Sequence, residues 1–201
     1  MKLYYSPSAC SLSPHIVLRE AGLAFSLEKV NLRNKQTASG VDFSTINPKG
    51  YVPALALANG EVLTEGPAIV QYVADQVPEK ELAPPCGTLA RARVQEWLNF
   101  IGTELHKNFG ALFNPASTEE ARADAQAILA RRLPIAAQAL SAHPYLTGES
   151  FSVADAYLFT VLRWTRFVGV DISAWPSLDA FIERMNSRPA VQAALEAEAQ
   201  N

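Results

Sequence analysis

The sequence predicts two domains: a mixed α/β domain over residues 1–77 and an all-helical domain over residues 87–201. Strand-like and helix-like hydrophobic patterns alternate in the first 77 residues, whereas only helical patterns follow residue 87. Between them, residues 78–86 are proline-rich and charged and show no periodicity, as is typical of a linker.

The α/β domain begins with a strand at residues 3–5 and a turn-forming loop. A helix is then predicted with Ser13 as its N-cap and Gly22 as its end. The remaining elements are an alternating strand at 25–31, a helical turn at 42–46, a hairpin with strands at 54–57 and 62–64, and a helix at 65–77. This order is thioredoxin-like.

The second domain is predicted to contain a long helix over residues 89–113 that ends at Asn114. The next helix opens with a capping box at Ser117, and Pro134 is expected to kink or divide it. A second capping box, Ser152 with Asp155, precedes an apolar helix that we expect at the domain's centre. Short final helices are predicted to begin at Pro176 and Pro189.

The composition is typical of a soluble globular protein, with 49% hydrophobic and 18% charged residues. A net charge of −3, from 17 basic and 20 acidic residues, argues against a nucleic-acid surface. The two cysteines suggest a reducing compartment, and no signal peptide or membrane span is recognised, so a cytoplasmic location is expected. The three histidines are scattered, and no metal site is predicted.

Cys10 lies at the corner between the first strand and the first helix. A helix N-terminus favours a thiolate, so this position is typical of a reactive thiol, although a lone cysteine is more often a small core residue. Cys10 and Ser13 have the CxxS spacing of monothiol redox proteins, which favours a mixed disulfide with a small thiol over an internal one. Cys86, in the linker, is interpreted as incidental.

Two further stretches of the α/β domain have both a structural and a functional interpretation. Pro53 is a rigid turn residue or, in a thioredoxin-like fold, a cis-proline that exposes the Val52 backbone to a peptide-like ligand. Glu65 and Gly66 either cap a helix or bind a free amino-acid end, with the Glu65 carboxylate on an ammonium group and the Gly66 N–H on a carboxylate.

In the helical domain, Asn99, Thr103, His106 and Lys107 are spaced to share one helix face. A solvated polar stripe is the common explanation of such a pattern. The functional hypothesis directs His106 and Lys107 towards the Cys10 sulfur, where they would stabilise a thiolate or hydrogen-bond a thiol ligand.

Together these motifs resemble the bacterial beta-class glutathione S-transferases, in the family's order and over nearly the whole chain. The matching stretches are residues 1–7, 9–12, 47–53, 63–69, 104–107 and 152–158. The resemblance implies an enzyme with a glutathione-binding thioredoxin-like domain, an all-helical domain that contributes the hydrophobic substrate site, and a homodimer whose sites lie between domains.

By the same resemblance, Cys10 and His106 are the catalytic residues, and both contact glutathione. The other glutathione-binding residues it implies are Lys35, Val52, Pro53, Glu65, Gly66, Asn99, Thr103 and Lys107. The resemblance leaves open whether Asn99 and Thr103 reach glutathione from the same subunit or from the partner subunit. Since other glutathione transferase classes use an N-terminal serine or tyrosine, Ser11, Tyr4 and Tyr5 are rival activators, with Ser11 ranked above Tyr5.

The expected function is conjugation of reduced glutathione to small hydrophobic electrophiles, as in detoxification. The alternatives are thiol–disulfide exchange, peroxide reduction or reductive dehalogenation through a Cys10 mixed disulfide, and a non-catalytic ligand-binding protein of the same fold. Three residues depart from the wider family's pattern: Ser8 replaces glycine, Gly66 replaces serine, and Pro134 interrupts a helix that is often straight.

Overall fold

The computed structural model describes residues 1–200, which form two compact units. The first unit contains Met1–Ala83 together with the segment that starts at Ser187, and the second is Pro84–Asn186. The boundary after Ala83 lies inside the stretch predicted as a linker. The segment after Ser187, however, belongs to the α/β unit, so the assignment of residues 187–201 to the helical domain needs correction.

The first unit is built on a five-stranded mixed sheet in the order β3–β2–β1–β4–β5. β1 pairs in parallel with β2, and the other neighbours are antiparallel. On the central strand, Leu3 lies opposite Leu27 and Leu55, and Leu3 and Leu55 are fully buried. The strands are β1 Lys2–Tyr5, β2 Ser26–Asn31, β3 Gln36–Thr37, β4 Ala54–Ala56 and β5 Val62–Thr64.

Helix α1 spans Leu12–Ala21 and α2 spans Gly66–Asp75. α1 starts earlier than predicted, with Ser11 at the N-cap position, so the N-cap assigned to Ser13 is wrong. Pro14 still falls in the first turn, where a missing N–H costs no helical hydrogen bond. Gly22 ends the helix in a left-handed conformation with φ of 67°, as predicted.

The last helix, α8 (Pro189–Ala199), packs along α1 and is tied to it at both ends. At one end Arg188 makes a bidentate ion pair with Glu20, with N···O distances of 2.7 and 3.0 Å. At the other, the buried Glu198 carboxylate accepts the Ser8 N–H at 2.9 Å and contacts Nδ1 of His15 at 3.0 Å. These contacts explain why α8 belongs to the first unit.

The hydrogen bonds of His15 define its tautomer. Arg19 Nε lies 2.9 Å from Nε2 of His15, and because arginine only donates, Nε2 must accept. The ring proton is therefore on Nδ1, which donates to Glu198. The N-terminal loop, α1 and α8 are thus connected by one buried chain of hydrogen bonds.

The second unit is entirely helical within the described residues. The stretch predicted as one helix over 89–113 is helical throughout but contains a π-helical segment, Ile101–His106. The next helix begins after Thr118, whose hydroxyl accepts the Ala121 N–H, so the capping box assigned to Ser117 is wrong. The helices are α3 Leu89–Phe100, α4 Lys107–Phe113, α5 Glu119–Ala142, α6 Val153–Val168 and α7 Pro176–Asn186.

Pro134 lies inside α5 but does not divide it. Proline removes one backbone donor and crowds the preceding turn. Here Leu133, Ala136 and Ala137 are buried around it, so packing holds the helix together across the lost hydrogen bond. Of the two predicted effects of Pro134, a kink or a division, the division is therefore wrong.

Helix α6 is the buried centre of the second unit, as predicted, and it starts with the predicted capping box. Asp155 accepts hydrogen bonds from the Ser152 N–H and hydroxyl and from the Leu146 N–H, at 2.8 to 2.9 Å. Burial nevertheless raises the pKa of Asp155 to about 6. Although α6 is apolar, no helix within residues 1–200 has the length and hydrophobicity needed to cross a bilayer.

We predict that Glu198→Ala lowers the free energy of unfolding by about 2–4 kcal/mol, because the buried His15 ring and the part-buried Ser8 N–H lose their acceptor. Urea denaturation monitored by circular dichroism measures the change. Glu196→Ala, an exposed position on the same helix, is the matched control and should stay within about 0.5 kcal/mol of wild type. Equal stability of the two variants would contradict the structural role of Glu198.

Candidate active site

Cys10 lies in the turn between β1 and α1, and its thiol donates a hydrogen bond to the carbonyl oxygen of Val52 at 3.2 Å. Burial raises the pKa of Cys10 to about 12, and the negative charge of Glu65 acts in the same direction. The backbone hydrogen bonds of Cys10 and Ser11 oppose this shift without cancelling it. Cys10 is therefore a protonated donor at neutral pH, which corrects the expectation of a thiolate.

The rival activators are held in structural roles. Ser11 is fully buried, and its hydroxyl accepts the Ser6 N–H at 3.1 Å and donates to the Ser6 carbonyl at 3.2 Å. Tyr4 packs on Phe43 with ring centroids 5.7 Å apart, and Tyr5 is buried beside His15. Of the four N-terminal candidates, only Cys10 combines partial exposure with a chemically reactive group.

The loop that carries Cys10 has a left-handed residue at Ser8, with φ of 61°. A residue with a Cβ pays about 1–2 kcal/mol for this conformation, which explains why glycine is favoured there. The Ser8 N–H bonds to Glu198, and this bond holds the loop in place. Ser8 is thus accommodated by a contact from α8.

The Val52–Pro53 peptide bond is cis, which is the second of the two alternatives given for Pro53. The Val52 side chain is buried in a cluster with Tyr4, Val30 and Phe43. Since its side chain points into this core, Val52 offers only its backbone to the site. Its carbonyl oxygen already accepts the Cys10 thiol, so the two predicted residues are in direct contact.

Lys35 is exposed and has a left-handed backbone, with φ of 58°. Its ammonium donates to the carbonyl of Gly50 at 2.7 Å. Gly50 itself has φ of 69°, and a Cβ there would lie 3.8 Å from Cε of Lys35. Lys35 therefore stabilises the turn that leads into Val52, and its charge stays at the surface where a carboxylate can reach it.

Glu65 is the N-cap residue of α2, with φ of 70°, a conformation that non-glycine residues rarely adopt. Its Oε1 accepts hydrogen bonds from Nζ of Lys49 at 2.6 Å and from the hydroxyl of Tyr51 at 2.7 Å. The bond from Lys49, followed by that from Tyr51, lowers the pKa of Glu65. The carboxylate is thus ionised and already binds one ammonium group.

Gly66 is the first residue of α2. A Cβ at this position would lie 3.8 Å from Cγ of Pro53, an ordinary contact, so space does not require glycine. The next residue is Pro67, and a side chain before proline disfavours the helical conformation. Glycine at 66 therefore lets α2 start at once, with its N–H groups at the helix N-terminus.

Lys49 and Tyr51 were not among the predicted site residues and were treated only as part of a proline- and glycine-containing turn. Gly50 between them has φ of 69°, so the backbone turns there and no strand-like alternation relates the two side chains. No local pattern in the sequence therefore pointed to their partner. Their convergence on Glu65 depends on the β4–β5 hairpin, which brings Thr64 and Glu65 beside this turn.

In the second unit, Asn99, Thr103 and Lys107 are exposed and spaced by four residues along the helix. The Asn99 amide donates to the Gln95 carbonyl at 2.9 Å, and the Thr103 hydroxyl donates to the Asn99 carbonyl at 3.0 Å. These side chains therefore lie against their own helix and keep further hydrogen-bonding capacity for a ligand.

His106, by contrast, packs against α6 and is more buried than these three residues. Its Nδ1 lies 2.6 Å from the hydroxyl of Tyr157. Its ring packs edge-on against that of Trp164, with ring centroids 4.7 Å apart. Burial lowers the pKa of His106 to about 4. It is therefore neutral at pH 7, and when the Tyr157 hydroxyl donates to Nδ1, Nε2 carries the proton and can donate to a ligand.

Comparisons with known proteins agree with this architecture. Residues 7–76 match the family model described as the glutathione S-transferase N-terminal domain, and residues 100–189 match the C-terminal domain of the same family. The chain is 48% identical over 198 residues, 98% of both sequences, to glutathione S-transferase GstA of Escherichia coli O157:H7.

Two solved structures are similar over the full length of both chains. One is a sphingomonad glutathione S-transferase complexed with glutathione, with a TM-score of 0.96 and 48% identity. The other is the beta-class glutathione S-transferase of Sphingomonas chungbukensis, with a TM-score of 0.96 and 49% identity.

We predict that Cys10 reacts with iodoacetamide at least about 100-fold more slowly than an ordinary exposed thiol at pH 8, because so little of it is ionised. Peptide mass mapping over a time course measures the rates of Cys10 and the exposed Cys86 in the same sample. A Cys10 rate equal to or above that of Cys86 would show that the thiol is activated and would contradict its assignment as a donor.

We predict that the His106 ring does not titrate between pH 5.5 and 8, since its pKa lies near 4. Proton NMR of the ring resonances, assigned with His106→Asn, measures this. The stability that neutral His106 contributes is complete above its unfolded pKa of 6.5 and is lost as the pH falls towards 4, by up to about 3 kcal/mol. A titration midpoint near 6.5 would refute the buried, neutral assignment.

Proposed function

Because the chain belongs to the glutathione S-transferase family, and to its bacterial beta class, we propose that it transfers the thiol of reduced glutathione to small hydrophobic electrophiles. The observation that carries the proposal is the ionised Glu65 carboxylate at the start of α2, which accepts a hydrogen bond from the ammonium of Lys49 at 2.6 Å. The γ-glutamyl end of glutathione presents the same group. The glutathione complex of the sphingomonad enzyme supports the choice of ligand.

In the proposed binding mode, glutathione lies along the first unit in an extended conformation. Its cysteinyl backbone pairs with the Val52 backbone beside Pro53, as an added strand would. The γ-glutamyl ammonium binds Glu65, and the adjacent carboxylate binds the Gly66 N–H at the positive end of α2. Lys35 is assigned to a carboxylate of the same ligand.

In the proposed reaction the sulfur of glutathione, not that of Cys10, is the nucleophile. The glutathione thiol loses its proton to solvent water, and the thiolate attacks the electrophilic carbon, from which the leaving group departs with its electron pair. Cys10, as a protonated thiol, donates a hydrogen bond to this sulfur and stabilises its negative charge.

We assign the neutral His106 to a second hydrogen bond to the glutathione sulfur, through Nε2. Lys107 adds a positive charge that favours the thiolate. Asn99 and Thr103 contribute hydrogen bonds to glutathione from their own or a partner subunit. A homodimer, a cytoplasmic location and a role in detoxification complete the proposal.

The alternative redox chemistries are disfavoured by the state of Cys10. Thiol–disulfide exchange requires a thiolate to attack a disulfide sulfur, and burial keeps the Cys10 thiol protonated. A non-catalytic binding protein is disfavoured because Cys10, Val52 and Glu65 keep reactive or ligand-binding groups in one connected arrangement.

The test is turnover of 1-chloro-2,4-dinitrobenzene with reduced glutathione. We predict that Cys10→Ala retains conjugation with kcat/KM reduced about 3- to 30-fold, the loss of one hydrogen bond to a charged sulfur. Cys86→Ala serves as the control and should match wild type. Two results together would instead support the redox alternative. They are complete loss of conjugation in Cys10→Ala and a single Cys10 adduct on the wild-type protein after incubation with oxidised glutathione.

A further inference from the structure

We propose that Lys49 and Tyr51 are positioning residues that orient the Glu65 carboxylate for the α-ammonium group of glutathione. They thereby select thiols with a zwitterionic γ-glutamyl end. This inference rests on the proposed function and extends it to two residues outside the expected binding set.

Two donors converge on one oxygen of the Glu65 carboxylate. Nζ of Lys49 and the hydroxyl of Tyr51 both reach Oε1 of Glu65, at 2.6 and 2.7 Å. Within residues 1–200, the hydrogen bonds recorded for this carboxylate all involve Oε1. Two donors to one oxygen prevent rotation of the group, so Oε2 is presented in a constant direction to a ligand.

The two donors are themselves held in place by further hydrogen bonds. Nζ of Lys49 also donates to the hydroxyl of Thr64 at 3.0 Å. The backbone of Tyr51 is anchored by Asn47, a buried residue whose amide donates to the Tyr51 carbonyl at 2.7 Å. Both donors therefore come from a turn of defined geometry.

The ionised Glu65 carboxylate also complements the charge of the ligand. The γ-glutamyl end carries an ammonium and a carboxylate on the same carbon atom. Glu65 presents the negative charge that this ammonium requires, while Lys49 and Tyr51 both donate to its Oε1. The ligand carboxylate is assigned to the Gly66 N–H. A ligand that lacks the ammonium cannot form an ion pair with Glu65. Its binding therefore does not depend on how the Glu65 carboxylate is oriented.

The exposure of the pair argues against a role confined to stability. The side chains of Lys49 and Glu65 are 46% and 51% exposed, and exposed ion pairs add little to the stability of a fold. An open pair can, however, accept a ligand without unfolding its surroundings. The same turn continues into Val52. The residues that orient Glu65 are therefore next in the chain to the backbone that is proposed to bind the cysteinyl part of glutathione.

The experiment compares two thiols in the conjugation assay: glutathione, and glutaryl-cysteinyl-glycine, which is glutathione with hydrogen in place of the α-amino group. The variants are Tyr51→Phe, Lys49→Gln and Glu65→Gln. Lys80→Gln, an exposed lysine elsewhere in the first unit, is the matched control. Thermal unfolding verifies that all variants are folded.

We expect Tyr51→Phe and Lys49→Gln each to raise the KM for glutathione about 3- to 10-fold, with kcat within about twofold of wild type. The KM for the deaminated analogue should change by less than about twofold. Combining Tyr51→Phe with Glu65→Gln should add nothing to Glu65→Gln alone, because the hydroxyl acts through the carboxylate.

Equal increases in KM for both thiols would overturn the proposal, since they would indicate general damage to the site. Unchanged KM values for glutathione would overturn it as well. Failure of the wild-type protein to conjugate either thiol would refute the proposed activity instead. In that case calorimetric titration with S-methylglutathione and its deaminated counterpart gives the same comparison as binding constants.

Discussion

The geometry of the loop that carries Cys10 depends on hydrogen bonds to the buried Glu198 carboxylate. It accepts the backbone N–H of Ser8, in the loop before Cys10, and the Nδ1–H of His15, on the first helix. Ser8 has a left-handed backbone, and this hydrogen bond compensates part of its cost. The last helix of the chain thus shapes the loop at its beginning, which explains why these distant segments form one compact unit.

The protonation states of the site determine what chemistry it favours. Burial keeps the Cys10 thiol protonated and keeps His106 neutral, so both groups are donors and neither is a base or a nucleophile at neutral pH. Glu65 is the opposite case, because two hydrogen bonds favour its ionised form. In the proposed mechanism these groups supply hydrogen bonds and recognition, and the sulfur of the bound thiol is the nucleophile.

The turn before Pro53 combines several functions in a few residues. Buried Asn47 anchors it, Val52 fills the core with its side chain, and the same residue accepts the Cys10 thiol with its carbonyl. Lys49 and Tyr51 extend from this turn to Glu65. Because these contacts share one backbone segment, a change in the turn affects both halves of the proposed glutathione site.

Much of the local structure could be predicted because it depends on neighbouring residues. Gly22 ends its helix, Ser152 and Asp155 form a capping box, and Cys10 lies at a strand-to-helix corner, all as the sequence indicates. The errors at Ser13 and Ser117 are shifts of one or two residues in a helix start. At α1 the Ser11 hydroxyl bonds to Ser6 and makes no cap hydrogen bond. At α5 the adjacent Thr118 takes the cap predicted for Ser117.

The sequence by itself determined the order of elements, the family resemblance and most of the residues that are proposed to form the site. Tertiary structure decided the placement of α8, the continuity of α5 through Pro134, and the ionisation of Cys10 and His106. The physical reason is that burial depends on segments far apart in the chain. A local pattern identifies a thiol or an imidazole, but only the packed surroundings set its pKa and its hydrogen-bond partners.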